Sequence, residues 1–392
     1  MKIEVGNLLS AISIVLDIAE GRIQHATKTA YTALRISQKL NIDESFKKKI
    51  YYASFLHDIG ISLSTSQFYK AHVDFSLAKS HSEIGYEVVK KLPLDEDISE
   101  LVRYHHEAFN GQGPFGLSNG DIPFGSQIIT LADQLEIYYD KSIPYYLQVN
   151  EIEEWIVKNR GVIFNPDIVD AFLEISSTDK FWLDFENSNL RYIINDIAPK
   201  GELYFDLEKM SQFAQAMSII IDKKSSFTNE HSINLQSIAY KIVKDYGFDY
   251  ETCEKVKIAA YLHDIGKLVV PNEILDKPGN LTKEEFNIIK SHSYYTKIIL
   301  NQIPPFNGEI AEWAANHHEK VDGSGYPERL DGKSLSLLDR IIGISDVYQA
   351  LTEDRPYRKG MPQSKAFEII HDMVKNNKFY SEEFELLKKA VS

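Results

Sequence analysis

At 392 residues the chain is long enough for two or three separate hydrophobic cores. Its 57 acidic residues against 43 basic ones leave a formal net charge of −14, which excludes a broad surface for long nucleic acid or an anionic membrane and leaves any anionic substrate to local charge. A single cysteine, Cys253, excludes an internal disulfide, and with no basic signal segment and no apolar run of about 18 residues the expected setting is the cytoplasm, without a membrane span.

Taken in order, the apolar stretch LLSAISIVLDIA predicts a helix leading to His25. Ile50, Ala53 and His57 trace one helical face that ends in the pair His57-Asp58, although the preceding helix, with Thr29, Thr32 and Ser37, is less apolar. His81, the pair His105-His106 and Asp133 follow. A helix near 150–159 and the segment FNPDIVDAFLEI at 164–175 then close a first domain, 1–175. Residues 176–206 are neither Gly/Ser-rich nor charge-dominated, and Phe181, Trp182, Phe185, Tyr192, Ile193 and Ile194 need burial, so this linker is expected to dock. A helix over about 207–223 opens the second domain, 207–392.

The second domain repeats the first. His25 maps on His231 and His57-Asp58 on His263-Asp264 at an offset of 206; His81 maps on His292 at 211, His105-His106 on His317-His318 at 212, and Asp133 on Asp346 at 213. Ten of the twelve histidines fall in this doubled pattern, leaving His72 and His371, so chance placement is a poor explanation. After His231, residues Leu235, Ile238, Ala239, Ile242, Val243 and Tyr246 recur at three- and four-residue steps, with His231 on their inward face. Val256, Ala259 and Ala260 lead to His263, and Gly266 is expected to stop that helix. A closing helix is expected at SEEFELLKKAV. The predicted fold is all-α, two tandem helical bundles related by an internal repeat.

The second copy carries HDIGKLVVPNEILDKPGNLTKEEF, IKSH, HHEKVDGSGYPERLDG and ISDVYQALTEDRPYRKG. Histidines and aspartates in this order could hold two hard or borderline cations, and nitrogen and carboxylate donors without thiolate admit iron, manganese, zinc and nickel alike. Most of residues 225–375 resembles the HD-GYP family, a branch of the HD superfamily of metal-dependent phosphohydrolases. The resemblance implies HD-type bundles and hydrolysis of a cyclic dinucleotide, chiefly cyclic di-GMP. It also implies two divalent ions, iron or manganese, held by His231, His263, Asp264, His292, His317, His318 and Asp346 with Asp264 bridging. Lys267, Arg355 and Arg358 match its phosphate-binding positions, Asp264 and Lys267 are the expected catalytic residues, and Tyr326 either lines the pocket rim or packs its loop. Phe227 stands where a three-metal subgroup carries a glutamate, which favours two metals, and Gln349 stands where many members carry a second aspartate. The rival readings are a hydrolase of another nucleotide, such as cyclic GMP-AMP, and a cyclic-dinucleotide-binding scaffold without turnover; a homodimer is admissible in either.

The first copy reproduces the ligand set as His25, His57, Asp58, His81, His105, His106 and Asp133, a candidate second metal site. It lacks the basic residues: Ile61 replaces Lys267, NGQGPFG replaces DGSGYP, and Ser142 and Tyr145 stand at the arginine positions. Three readings stay open for it, namely a metal-loaded regulatory or dimerising module, a hydrolase of a less charged substrate, and a structural relic.

Overall fold

The structure, a computed structural model, describes residues 3–19, 22, 24–61, 75–199, 204–224, 231–275, 277, 279–303, 306–354 and 359–392. The chain divides into two compact units, Val5–Leu203 and, with Met1–Glu4, Tyr204–Ser392. Among the described residues both are helical, and no helix is long and apolar enough to cross a membrane. Regular β pairing among those residues is confined to one antiparallel ribbon, in which β1 (Ile3–Glu4) pairs with β2 (Tyr204–Phe205), Ile3 opposite Phe205.

The first unit runs through α1 (Val5–Ala19), α2 (His25–Lys39), α3 (Glu44–Leu56), α4 (Phe75–Val89), α5 (Glu96–Arg103), α6 (Phe124–Tyr138), α7 (Tyr145–Lys158), α8 (Pro166–Ser176), α9 (Asp179–Glu186) and α10 (Leu190–Ile197). α2 lies at its centre, against α1, α3, α6 and α8. Its low apolarity has a physical reason: Thr29 and Ser37 are fully buried, and their hydroxyls donate back to His25 O and Ala33 O at 3.1 and 2.7 Å. Small, internally satisfied side chains let neighbouring helices approach closely. Residues 176–203 belong to this unit, where α9 and α10 pack on α2. Phe181 stacks on Tyr31 with ring centroids 5.6 Å apart, and the Trp182 indole donates to Ser176 O at 2.8 Å. Each aromatic buried here contributes about 1.5–3 kcal/mol.

The second unit contains α11 (Leu207–Lys224), α12 (His231–Tyr246), α13 (Tyr250–Leu262), α14 (Asn272–Leu275), α15 (Lys283–Asn301), α16 (Glu309–Ala315), α17 (Leu337–Thr352), α18 (Gln363–Lys375) and α19 (Ser381–Val391). The sequence punctuates these helices. Asp249 caps α13 by accepting from the Thr252 amide, and capping boxes Thr282/Glu285 and Ser336/Asp339 open α15 and α17. α12 packs between α13 and α17, which brings the ends of several helices to one place.

Candidate metal centre

Each unit delivers its histidines from the same local devices. The buried Asp222 of α11 accepts from the Ser232 amide at 3.0 Å and the Ser232 hydroxyl at 2.6 Å, which pins the start of α12 and so His231, its first residue. Asp17 does the same in the first unit, accepting from the Ala26 amide at 3.3 Å beside His25. His263 and His57 cap the C-terminal ends of α13 and α3 in right-handed helical geometry. Gly266 therefore does not stop α13, contrary to the expectation from sequence, because the helix already ends at Leu262. Its role is close approach. A methyl at Gly266 would stand 1.9 Å from His292 O and 2.7 Å from the Thr296 amide nitrogen, so the turn Ile265–Val269 can lie on α15 only with glycine there. Gly60 repeats this against His81 O, at 2.0 Å.

In the second unit the structure brings His231, His263, Asp264, His292, His317, His318 and Asp346 together. His231, His263 and Asp264 form one group of converging ligand atoms, and His292, His317 and His318 another. Asp264 reaches both: Oδ2 is 3.1 Å from His263 Nε2, and Oδ1 is 3.3 Å from His292 Nε2 and 3.8 Å from His317 Nε2. Asp346 also touches both, at 3.5 Å from His231 Nε2 and 3.9 Å from His318 Nδ1.

The tautomers suit metal ligation. Nδ1 of His263, His292 and His317 faces the carbonyl oxygens of Ala260, Ile289 and Ala314 at 2.9, 2.6 and 2.6 Å. A carbonyl only accepts, so Nδ1 carries the proton and the Nε2 lone pairs turn inward. His292 Nε2 and His317 Nε2 are then 3.3 Å apart, and His263 Nε2 and Asp264 Oδ1 are buried without a hydrogen-bond partner. Facing lone pairs and orphaned buried polar atoms are costly unless a cation takes them. The donor set fits a divalent metal.

The electrostatics of His292, His317 and His318 agree. Burial pushes His292 down to about 4 and His317 to about 3, and holds His318 well below its ordinary value, so these imidazoles are neutral. Burial also works against the charged forms of His231 and His263. At His231 the carboxylates of Asp346 and Glu353 outweigh it and hold the pKa up at about 9, and Asp264 outweighs it at His263. Asp264 and Asp346 stay far below the usual carboxylate range, because the adjoining cations and imidazoles overcome burial.

The first unit gathers His25, His57, Asp58, His81, His105, His106 and Asp133 in the same way. Its two groups, His25/His57/Asp58/Asp133 and Asp58/His81/His105/His106, share Asp58. Nδ1 of His57, His81 and His105 again faces backbone carbonyls, of Ser54, Leu77 and Val102, at 2.9, 3.1 and 2.6 Å. The surroundings differ. Ile61 packs with Leu77 and Ile137 in an apolar cluster where the second unit has Lys267. Ser142 and Tyr145 turn to Asp140 and Asp179, at 2.7 and 3.2 Å.

Around the second cluster, Lys267 is buried with its ammonium 2.5 Å from Asp264 Oδ2. Arg355, Arg358 and Phe227 lie outside the described residues. Tyr326 sits against His318, ring centroids 4.8 Å apart, and edge-on to His292. Its loop is held from below by Glu319, whose carboxylate accepts from the amides of Glu328, Arg329 and Leu330 at 2.7, 3.0 and 3.0 Å. The loop's Gly325 allows contact with that segment, since a methyl there would be 2.4 Å from Glu319 Cα. Glu107 holds the matching loop of the first unit through the Phe115 and Leu117 amides. Two cavities, of about 610 and 740 Å³, flank Tyr326.

Four supporting carboxylates were not singled out from sequence. Glu353 binds His231 Nδ1 at 2.8 Å and Glu136 binds His25 Nδ1 at 2.7 Å, each orienting a ligand from the helix or helix end that carries the aspartate. They stand seven and three residues after Asp346 and Asp133, spacings that share one helix face, and this was the available signal. Asp222 and Asp17 precede their histidines by nine and eight residues across a helix break, where periodicity carries no signal.

A family model described as HD domain matches residues 11–154 and 215–382, one match to each repeat. The chain is 28% identical over 376 residues to 3'3'-cGAMP-specific phosphodiesterase 1 of Vibrio cholerae, covering 93% of this chain and 86% of that protein. It is 30% identical over 334 residues to 3'3'-cGAMP-specific phosphodiesterase 3 of the same organism, covering 84% and 71%. A solved V. cholerae structure, described as a cyclic GMP-AMP-specific phosphodiesterase, matches over 100% of this chain and 98% of that one, with TM-score 0.69 at 24% identity, a likeness of fold.

Proposed function

Since this chain belongs to the HD domain family, we propose that it is a metal-dependent phosphodiesterase that hydrolyses a cyclic dinucleotide, 3'3'-cGAMP ahead of cyclic di-GMP, at the cluster of the second unit. The observation that carries this reading is Asp264, one carboxylate within 3.3 Å of a histidine from each ligand group, as a two-cation site needs. The order of substrates reverses the expectation from sequence, where cyclic di-GMP came first. The two V. cholerae relatives matched over 93% and 84% of the chain bear names specific for 3'3'-cGAMP, and that supports the change.

His231, His263, Asp264, His292, His317, His318 and Asp346 would hold two divalent ions, iron or manganese by the family resemblance. When bound, such a pair supplies Lewis-acid polarisation of a phosphoryl oxygen and a water of lowered pKa. The protein's own contribution is positional. Backbone carbonyls fix the tautomers of three histidines, Glu353 orients His231, and the Glu319 carboxylate fixes the loop that presents Tyr326. Lys267, with its cation beside Asp264, would meet a phosphate oxygen of the substrate. The first unit has the ligands without that cation, which favours a metal-loaded regulatory or dimerising role for it.

The test is turnover of 3'3'-cGAMP, cyclic di-GMP and cyclic di-AMP by protein replete with iron or manganese. Wild type should cleave 3'3'-cGAMP fastest, and Asp264→Ala should lose turnover. Lys267→Ala should raise KM about tenfold, the effect of losing one charged hydrogen bond of ~1.5 kcal/mol. A metal-replete wild type that cleaves none of the three would refute the reading.

A further inference from the structure

The smaller of the two cavities beside Tyr326, about 610 Å³, is within the usual ~300–1,000 Å³ of small-molecule sites. One wall is α15, with Phe286 and Lys290 a turn apart on it, and the other is the loop that carries Gly325, Tyr326 and Arg329. Ser291, also on the wall, precedes His292 of the metal cluster. From Phe286 to His292 the helix advances by ~9 Å, which leaves room for a sugar and its phosphate between the ring and the cluster.

The charge on this wall is one-sided. In a chain of net charge −14 it carries two cations, Lys290 and Arg329, and no carboxylate. Among the described residues neither cation pairs with an acid; the Lys290 ammonium donates to the Asn287 side chain at 3.3 Å. A concave wall of one sign focuses its field and draws the opposite charge. The ligand is therefore an anion.

The same wall presents aromatic surface. Phe286 is 44% exposed, although phenylalanine is among the residues most often buried, and its ring stands edge-on to Tyr326 with centroids 6.4 Å apart. The Lys290 ammonium lies 4.7 Å from the Phe286 centroid and 5.9 Å from that of Tyr326, so cation and rings adjoin. Glu319 accepts from the Arg329 amide at 3.0 Å and fixes the opposite wall before any ligand arrives. An anion with a flat aromatic part, bound beside a metal cluster, is a nucleotide.

Every base has a π-face, so a phenyl ring holds one without reading its edge. The polar groups nearby, Asn287 and the hydroxyls of Ser291 and Tyr326, offer acceptors as well as donors and do not select one purine. We propose that this cavity is a base-tolerant nucleotide subsite, in which Phe286 stacks on one base of the dinucleotide and Lys290 and Arg329 hold a phosphate. The choice between 3'3'-cGAMP and cyclic di-GMP then lies outside it. This deepens the phosphodiesterase reading and rests on it for the identity of the ligand.

Calorimetry with hydrolysis-resistant phosphorothioate analogues of both dinucleotides, on the full chain with metal content matched to wild type, reads binding apart from turnover. Phe286→Ala should weaken both Kd values about tenfold and by the same factor, the loss of one stacked base. Phe286→Trp should keep wild-type affinity, whereas Phe286→Leu, which retains apolar bulk without a π-face, should fall with alanine. Lys290→Ala/Arg329→Ala should weaken both and flatten the salt dependence of Kd. Leucine binding as tightly as phenylalanine would make residue 286 a packing element and overturn the subsite, as would a loss confined to one dinucleotide. A wild type that binds the analogues with these variant effects yet cleaves neither parent dinucleotide overturns the phosphodiesterase reading and upholds the subsite. A wild type that binds neither analogue overturns both.

Discussion

Lys28 shows how far the first unit's interior departs from ordinary burial. It lies within α2 with its ammonium 4.5 Å from the Phe185 ring centroid and 5.3 Å from that of Tyr139, and burial pushes its pKa from 10.5 down to about 8. An amine whose folded pKa lies below its unfolded value binds fewer protons when folded across that interval. Stability therefore rises with pH from about 8 to 10.5 and is lowest below 8. Urea unfolding of wild type should gain on the order of 2 kcal/mol over Lys28→Met between those pH values. A difference that stays flat with pH would refute the shift. At this scale the sequence was most legible for the histidines and aspartates, because ten histidines repeat in register. Glu353, Glu136, Asp222 and Asp17 stayed hidden, since a carboxylate in an acidic chain is an ordinary surface residue until a partner is seen beside it.

At the level of elements, the HD turn and α15 are interlocked by close backbone approach at Gly266 and by the Thr296 hydroxyl, which accepts from the Gly266 amide and donates to His263 O, at 3.0 Å each. Gly266→Ala forces its methyl into His292 O and the Thr296 amide, backbone atoms that cannot swing aside. The variant should lose at least ~1–3 kcal/mol of stability and, because His292 would be displaced, should bind less metal in the second unit. Thermal melting and elemental analysis together check this; a Gly266→Ala protein with wild-type melting and metal content would contradict it. The helices themselves were readable from apolar periodicity, and HD pairs at helix ends followed from it. The function of Gly266 was not, because a glycine after a helix reads as a stop signal whether or not another backbone presses on it. The loop clamp by Glu319 was likewise out of reach, as it depends on amides nine to eleven residues away.

For the whole molecule, the doubling of the ligand set carries a count. Among the described residues, four groups of converging ligand atoms, two in each unit, would hold one cation apiece, or about four in all. Elemental analysis of wild type should give about four divalent ions, and His263→Ala/Asp264→Ala about two, with hydrolysis lost. About two in wild type and almost none in the double variant would make the first unit metal-free. The tandem repeat was legible in the spacing of His25 to Asp133 against His231 to Asp346. The β1–β2 ribbon was not, since two residues on each side are too few for a periodic signal.

That ribbon decides how the chain would bear mechanical load. Because Ile3 faces Phe205 and Glu4 faces Tyr204, residues 5–203 form an excursion closed at its base by a two-residue clasp. Tension applied through residues 3 and 392 would pass across the clasp into the second unit and bypass the first. The antiparallel strands would be pulled apart from their open end, one rung after another, which is the weakest direction for such a pair. The clasp is thus a mechanical fuse: while it holds, the first unit is shielded from force, and once it parts the first unit becomes the loaded span.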